Sequence, residues 1–218
     1  MKTLVALAGL VLVISACGTD AGDDEATDRS AGRTASAAAP SPVVTPPQIP
    51  AEPAAVRSRS TATVMDVGDG APMLCLGPIA ESYPPQCTGP AVMGWDWDGL
   101  APHVERQGDV RWGTYAVTGT WDGKTFTVSD AVPGALYDPA FEAPALPAPS
   151  RDYDDADLDA IVDGLDSTLP GLLSAFVDQS GHVVVDVEYD DGSLQDLVDE
   201  TYGDGVVVVS GALVDVDG

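Results

Sequence analysis

The chain has 218 residues and a formal net charge of −26, from 35 Asp and Glu against 9 Lys and Arg. Such a surface repels phosphate backbones and anionic headgroups, which excludes nucleic acid as a partner and leaves no basic patch to hold the chain on a membrane. Setting aside the leader and the linker described below, about 160 residues remain, enough for one compact domain or two small ones.

Residues 1–16 begin with the basic Lys2, continue as an apolar run from Leu4 to Ile14, and end at Ile14-Ser15-Ala16-Cys17. The run is shorter than the roughly 20 residues of a bilayer span and is followed by polar residues instead of cationic flanks, so it reads as a signal-peptide core. Its ending resembles the lipobox of bacterial lipoproteins. That resemblance implies cleavage ahead of Cys17, a diacylglyceryl group on its sulfur, and a mature chain lipid-anchored to the extracytoplasmic face of the cell membrane. An ordinary signal peptide cut after Ala16 is the alternative. Two or three acyl chains on one residue hold a protein durably, at roughly 0.8 kcal/mol per buried methylene.

Residues 17–59 are rich in Ala, Pro, Ser and Thr, as in Ala38-Ala39-Pro40-Ser41-Pro42. They bury too little apolar surface to offset ordering entropy and are expected to form a disordered tether.

Residues 60–138 read as a small antiparallel β domain, an OB-like barrel or a sandwich, with strands expected at Thr61–Asp66, Pro72–Leu76 and Ala91–Trp97. Cys75 and Cys87, in an exported chain, are expected to form a disulfide around a loop that carries Pro78, Tyr83, Pro84 and Pro85. The strongest local signal is Asp122-Gly123 between two alternating runs, a hairpin turn. A two-residue loop at that pair sets Trp121 opposite Lys124, Gly119 opposite Phe126 and Val117 opposite Val128. Tyr115, Val117, Trp121, Phe126 and Val128 then share a face, with the Phe126 ring covering Gly119.

A Pro-rich linker, 139–150, separates this region from an α+β module, 151–218. Leu158, Ile161, Val162 and Leu165 recur at helical spacing behind the acids Asp152, Asp154, Asp155, Asp157 and Asp159, which favour a helix N-terminus. Leu172, Leu173 and Phe176 suggest a second short helix, Val183–Tyr189 a strand, Ser193 with Asp196 a capping box over a helix ended by Gly203, and Val206–Val216 a last strand. The overall class is α+β.

Four constellations bear on function. Trp95 and Trp97, two apart and flanked by Asp96 and Asp98, are either half of a core or a stacking platform for a sugar ring. Asp186, Glu188 and Asp190 line one strand face, as edge protection or as oxygen ligands for Ca²⁺. An EF-hand is excluded, because Asp191 stands where glycine is required and Leu197 where glutamate is. The only histidines, His103 and His182, belong to no metal or catalytic motif, and no nucleophile elbow or phosphate loop occurs. No metal or cofactor is expected.

The stretch from Cys75 to Cys87, running on to Gly94-Trp95-Asp96-Trp97, together with the tail from Leu194 through Tyr202-Gly203 to Leu213, resembles segments of uncharacterised exported lipoproteins of high-GC Gram-positive bacteria. The resemblance implies export and brings no catalytic residue. The expected role is a non-enzymatic binding or interaction module at the cell envelope, with an envelope protein or a glycan as partner. Its candidate surface is Tyr83, Pro84 and Pro85 with Trp95 and Trp97. The rival is a cell-wall or carbohydrate-active hydrolase using Asp or Glu near the two tryptophans.

Overall fold

The computed structural model describes residues 49–138 and 146–217; Cys17, the leader, the tether as far as residue 48 and residues 139–145 of the linker lie outside them. The first strand, β1 (Ala54–Ser58), falls inside the stretch read as tether. Its signal is faint, because Val56 is its only large apolar residue, yet Val56 and Ser58 alternate inward and both are buried.

Five strands close into a barrel. β2 (Ala62–Asp66), β3 (Met73–Cys75) and β4 (Ala91–Met93) form an antiparallel meander. Beyond the short β5 (Glu105–Gln107), the long hairpin of β6 (Val110–Trp121) and β7 (Thr125–Pro133) completes the ring: β7 runs parallel to β4, and β6 runs antiparallel to β2. This is a Greek-key closure of OB type, and closure removes the exposed edges that a five-stranded sheet would otherwise present. The expected strand to Trp97 stops at Met93, so the two tryptophans sit in the connection that follows β4.

The hairpin register is shifted from the expected one. Trp121 faces Phe126 and Gly119 faces Val128, with an irregularity between Thr118 and Gly119 that sets Val117 opposite Ala131. The cause lies in the turn. Asp122 is not a central residue; its carboxylate accepts the N–H groups of Lys124 (2.9 Å) and Thr125 (2.7 Å), and Gly123 takes the positive φ of 87°. An Asx-capped turn thereby moves the tip one residue along. The Phe126 ring still covers Gly119, where an added Cβ would lie 2.8 Å from Cζ.

The second region holds α1 (Asp155–Leu165), β8 (Leu172–Val177), β9 (Val183–Tyr189), α2 (Ser193–Tyr202) and β10 (Val207–Asp215). Asp154 caps α1 by accepting the Asp157 N–H, at 2.9 Å. The expected second helix is instead the strand β8, antiparallel to β9. Pro170 and Gly171, the latter at φ 66°, break the helical path, and a six-residue run, apolar except for Ser174, is too short to choose helix once a neighbouring strand offers hydrogen bonds. The Ser193–Asp196 capping box does not form. Asp190 takes the Leu194 N–H at 2.9 Å and Asp191 takes the Ser193 N–H at 3.1 Å. Gly203 ends α2 at φ 105° as expected. β9 and β10 are parallel neighbours joined through α2.

β1 joins the regions, pairing with β6 on one side and β10 on the other, so all strands belong to a single 10-stranded sheet. Where β6 passes from β1 to β2, the buried Ser58 hydroxyl accepts the Val117 N–H at 3.1 Å, filling the break in the ladder. The barrel core of Val56, Val64, Leu74, Val92, Trp97, Tyr115, Val117, Trp121 and Phe126 also takes in Tyr189 and Leu213 from the second region. A separate core lies between α1, α2 and the inward valines of β9. Among the described residues no helix is long and apolar enough to cross a membrane.

Candidate functional site

The loop between β3 and β4 is braced at three points. Cys75 and Cys87 stand at disulfide distance, with Cα atoms 5.8 Å apart. Above them Ala80 and Gln86 pair as a bridge, with the Ala80 N–H on the Gln86 carbonyl at 2.9 Å. At the tip, Ser82 donates to the Pro84 carbonyl at 2.8 Å, and the Tyr83 ring meets Trp112 of β6 edge-on, centroids 5.1 Å apart. Tyr83 nevertheless remains 65 % exposed, while Pro84 and Pro85 are half-buried.

The barrel wall carries a charged pair where β2 meets β6. Arg111 donates through Nε (2.9 Å) and an Nη nitrogen (2.8 Å) to one oxygen of the buried Asp66, and its guanidinium lies 5.0 Å over the Trp97 ring. Burial pushes the Asp66 carboxyl up, but the Gly68 N–H and the Arg111 guanidinium outweigh it and hold the group below the usual carboxylate range.

Neither tryptophan shares the exposure of Tyr83. Trp97 is 5 % exposed and belongs to the core; Trp95 is half-buried and packs against Trp97 (5.5 Å) and Tyr115 (4.9 Å) in edge-on contacts. They form no paired stacking platform, because in the connection after β4 their rings turn onto the barrel interior. Trp95 does form one wall of a shallow groove with Asp96, Ser129 and Asp130.

The acidic row of β9 is not edge protection, since β8 and β10 pair with β9 on both sides. Its members are half-buried: Asp186 accepts the Ser174 hydroxyl at 2.8 Å, and burial pushes the Glu188 carboxyl up. Among the described residues no His, Cys, Asp and Glu gather as a metal site. His182 is structural: it is buried, with Nδ1 3.0 Å from Asp178 and Nε2 2.8 Å from the Pro147 carbonyl, tying the end of the linker to β9.

A cleft that sequence reasoning missed opens at the root of the disulfide loop, where the β1–β2 connection passes over the outer face of β8, β9 and β10. It is lined by Arg59, Ser174, Asp186 and Ser210 on its polar side and by Leu76, Pro78 and Leu173 on its apolar side. Arg59 lies at the end of the stretch expected to be tether. The one clue was scarcity, since the chain has so few basic residues. Compared with known proteins, the chain matches no family model, no curated protein and no solved structure.

Proposed function

We propose that the protein is a lipid-anchored binding module of the cell envelope, held by Cys17 on the extracytoplasmic face and presenting the tip of its disulfide loop to another envelope protein. The observation that carries this reading is Tyr83: a large aromatic ring left 65 % exposed on a loop fixed by the Cys75–Cys87 pair, the Ala80–Gln86 bridge and Trp112. A ring already immobilised loses little entropy on binding, and Tyr is among the residues enriched at interaction hot spots. Pro84 and Pro85 beside it stiffen the tip further. The absence of any catalytic motif in the sequence favours a binding role over chemistry.

A second reading draws on the groove at Trp95. One aromatic wall with Asp96 and Asp130 offers a stacking face and acceptors for sugar hydroxyls, supporting a glycan ligand or the carbohydrate-active alternative.

The test is photo-crosslinking in intact cells from a probe residue placed beside the loop tip. Tyr83→Ala should abolish the crosslinked product while lowering the melting temperature by no more than a few degrees, the loss of one edge-on contact with Trp112. An unchanged crosslinking pattern would remove the loop as the contact surface. The anchor is tested separately by mass spectrometry of the purified native chain, where an unmodified Cys17 thiol would end that part of the reading.

A further inference from the structure

The cleft at the root of the loop is a built polar site. Ser174, Asp186 and Ser210 occupy matching positions on β8, β9 and β10, since Asp186 is the register partner of both serines. They form one row across the sheet, on the face turned away from the helices. Arg59 arrives from the β1–β2 connection, fixed by its own N–H on the Ala212 carbonyl at 2.8 Å, and its guanidinium donates to the Ser210 hydroxyl. The cavity measures about 380 Å³.

Two features show that these charges are not spent on each other. Asp186 and Arg59 line the same cleft, yet they form no ion pair among the described residues. Asp186 has one oxygen engaged by Ser174, and Arg59 has one of its nitrogens engaged by Ser210, so acceptor and donor capacity remains on both. Half-burying a guanidinium without a carboxylate partner is costly. The chain spends one of only 9 basic residues on it.

We infer that this cleft binds a small zwitterion of the α-amino-acid class with an apolar side chain. The ligand carboxylate takes the Arg59 fork, a planar donor set suited to bidentate contact. The ligand ammonium faces Asp186 and the hydroxyls of Ser174 and Ser210. The side chain rests on Leu76, Pro78 and Leu173. A simple anion would lie against Asp186 and a simple cation against Arg59, so a ligand carrying both poles is the one whose charges the cleft complements. This inference goes beyond the proposed function and does not depend on it, because Tyr83 is not part of the cleft lining.

Isothermal titration of the full chain with the L and D forms of alanine, valine and leucine tests it, with N-acetyl-L-leucine and L-leucinamide as single-pole controls. At least one free amino acid should bind saturably at millimolar concentration or below, and removing either pole of the ligand should weaken binding by about tenfold or more. Arg59→Gln and Asp186→Asn should each do the same, while Tyr83→Ala should leave this binding intact. If Arg59→Gln fails to fold, the near-isosteric Asp186→Asn decides alone. Failure of all six amino acids to bind at millimolar concentration, equal binding of the controls, or undiminished binding by Asp186→Asn would overturn the inference.

Discussion

The barrel and the region that follows it fill their interiors in different ways. The barrel encloses a few large rings, with Tyr115, Trp121 and Phe126 fully buried and Trp97 nearly so, and it adds the Cys75–Cys87 pair and the Asp66–Arg111 ion pair on its wall. The buried cluster of the second region is aliphatic, with Leu158, Ile161, Leu165, Leu194 and Val198 of the two helices set against valines of β9 and β10, and Tyr153 and Tyr202 only partly buried at its edge. A five-stranded barrel has a narrow interior that a handful of aromatic residues can fill, whereas a sheet covered by helices spreads the same task over many small contacts. The barrel is therefore the region where a single deletion leaves the largest hole.

The sharpest way to break that contrast is Trp121→Ala. Removing a fully buried indole should cost about 3–5 kcal/mol, read as a shift in the urea midpoint, while Val185→Ala in the second region removes far less volume and should cost less. Equal losses would mean that the barrel relaxes around the missing ring. Next in size is the staple. Replacing Cys75 and Cys87 together by serine releases a loop with a sequence separation of 12 and should cost on the order of 3 kcal/mol in the chain-entropy account. Hydrogen exchange sharpens the comparison: if β1 couples the regions tightly, β9 amides should lose protection along with those of β3 and β4. Protection lost only in the barrel would show that the two cores open separately despite their shared sheet.

The contrast also explains what could be read from the sequence. Elements that declare themselves locally were evident: the alternation of β2 and β6, the helical spacing of α1, the glycine that ends α2. The closure of β2 onto β6 was open to inference only as one of two architectures, because strand pairing across some fifty residues leaves no local mark. β1 was hidden for the same reason, since its partners are far along the chain and only Val56 advertises an inward face. β8 was misread because its spacing suits both periods until β9 is in place. The site followed the same rule. The loop around Tyr83 was visible in its cysteines and prolines, but the Arg59 cleft draws on the β1–β2 connection, β8, β9 and β10, and only the folded register assembles it.

The smallest effect separates the regions by the sign of their acid response. Asp66 in the barrel has its folded-state pKa held below the ordinary value, so the stability it contributes is present above the carboxylate range and is lost as pH falls through the folded pKa. Glu188 in the second region behaves in the opposite sense. Burial between β8 and β10 raises its folded-state pKa, so its ionised form costs stability above that pKa, and the cost disappears as pH falls below the unfolded value. Glu188→Gln should therefore raise the melting temperature slightly at neutral pH and lose that advantage below the carboxylate range, while Asp66→Asn should lower it at neutral pH and flatten the acid limb. Melting temperatures of the two variants and the parent, scanned from neutral to acid pH, should therefore converge at the acid end from opposite sides. A Glu188→Gln protein that is less stable than the parent at neutral pH would mean that the carboxylate, half-buried beside Gly171, holds the β8 turn more strongly than its desolvation opposes it.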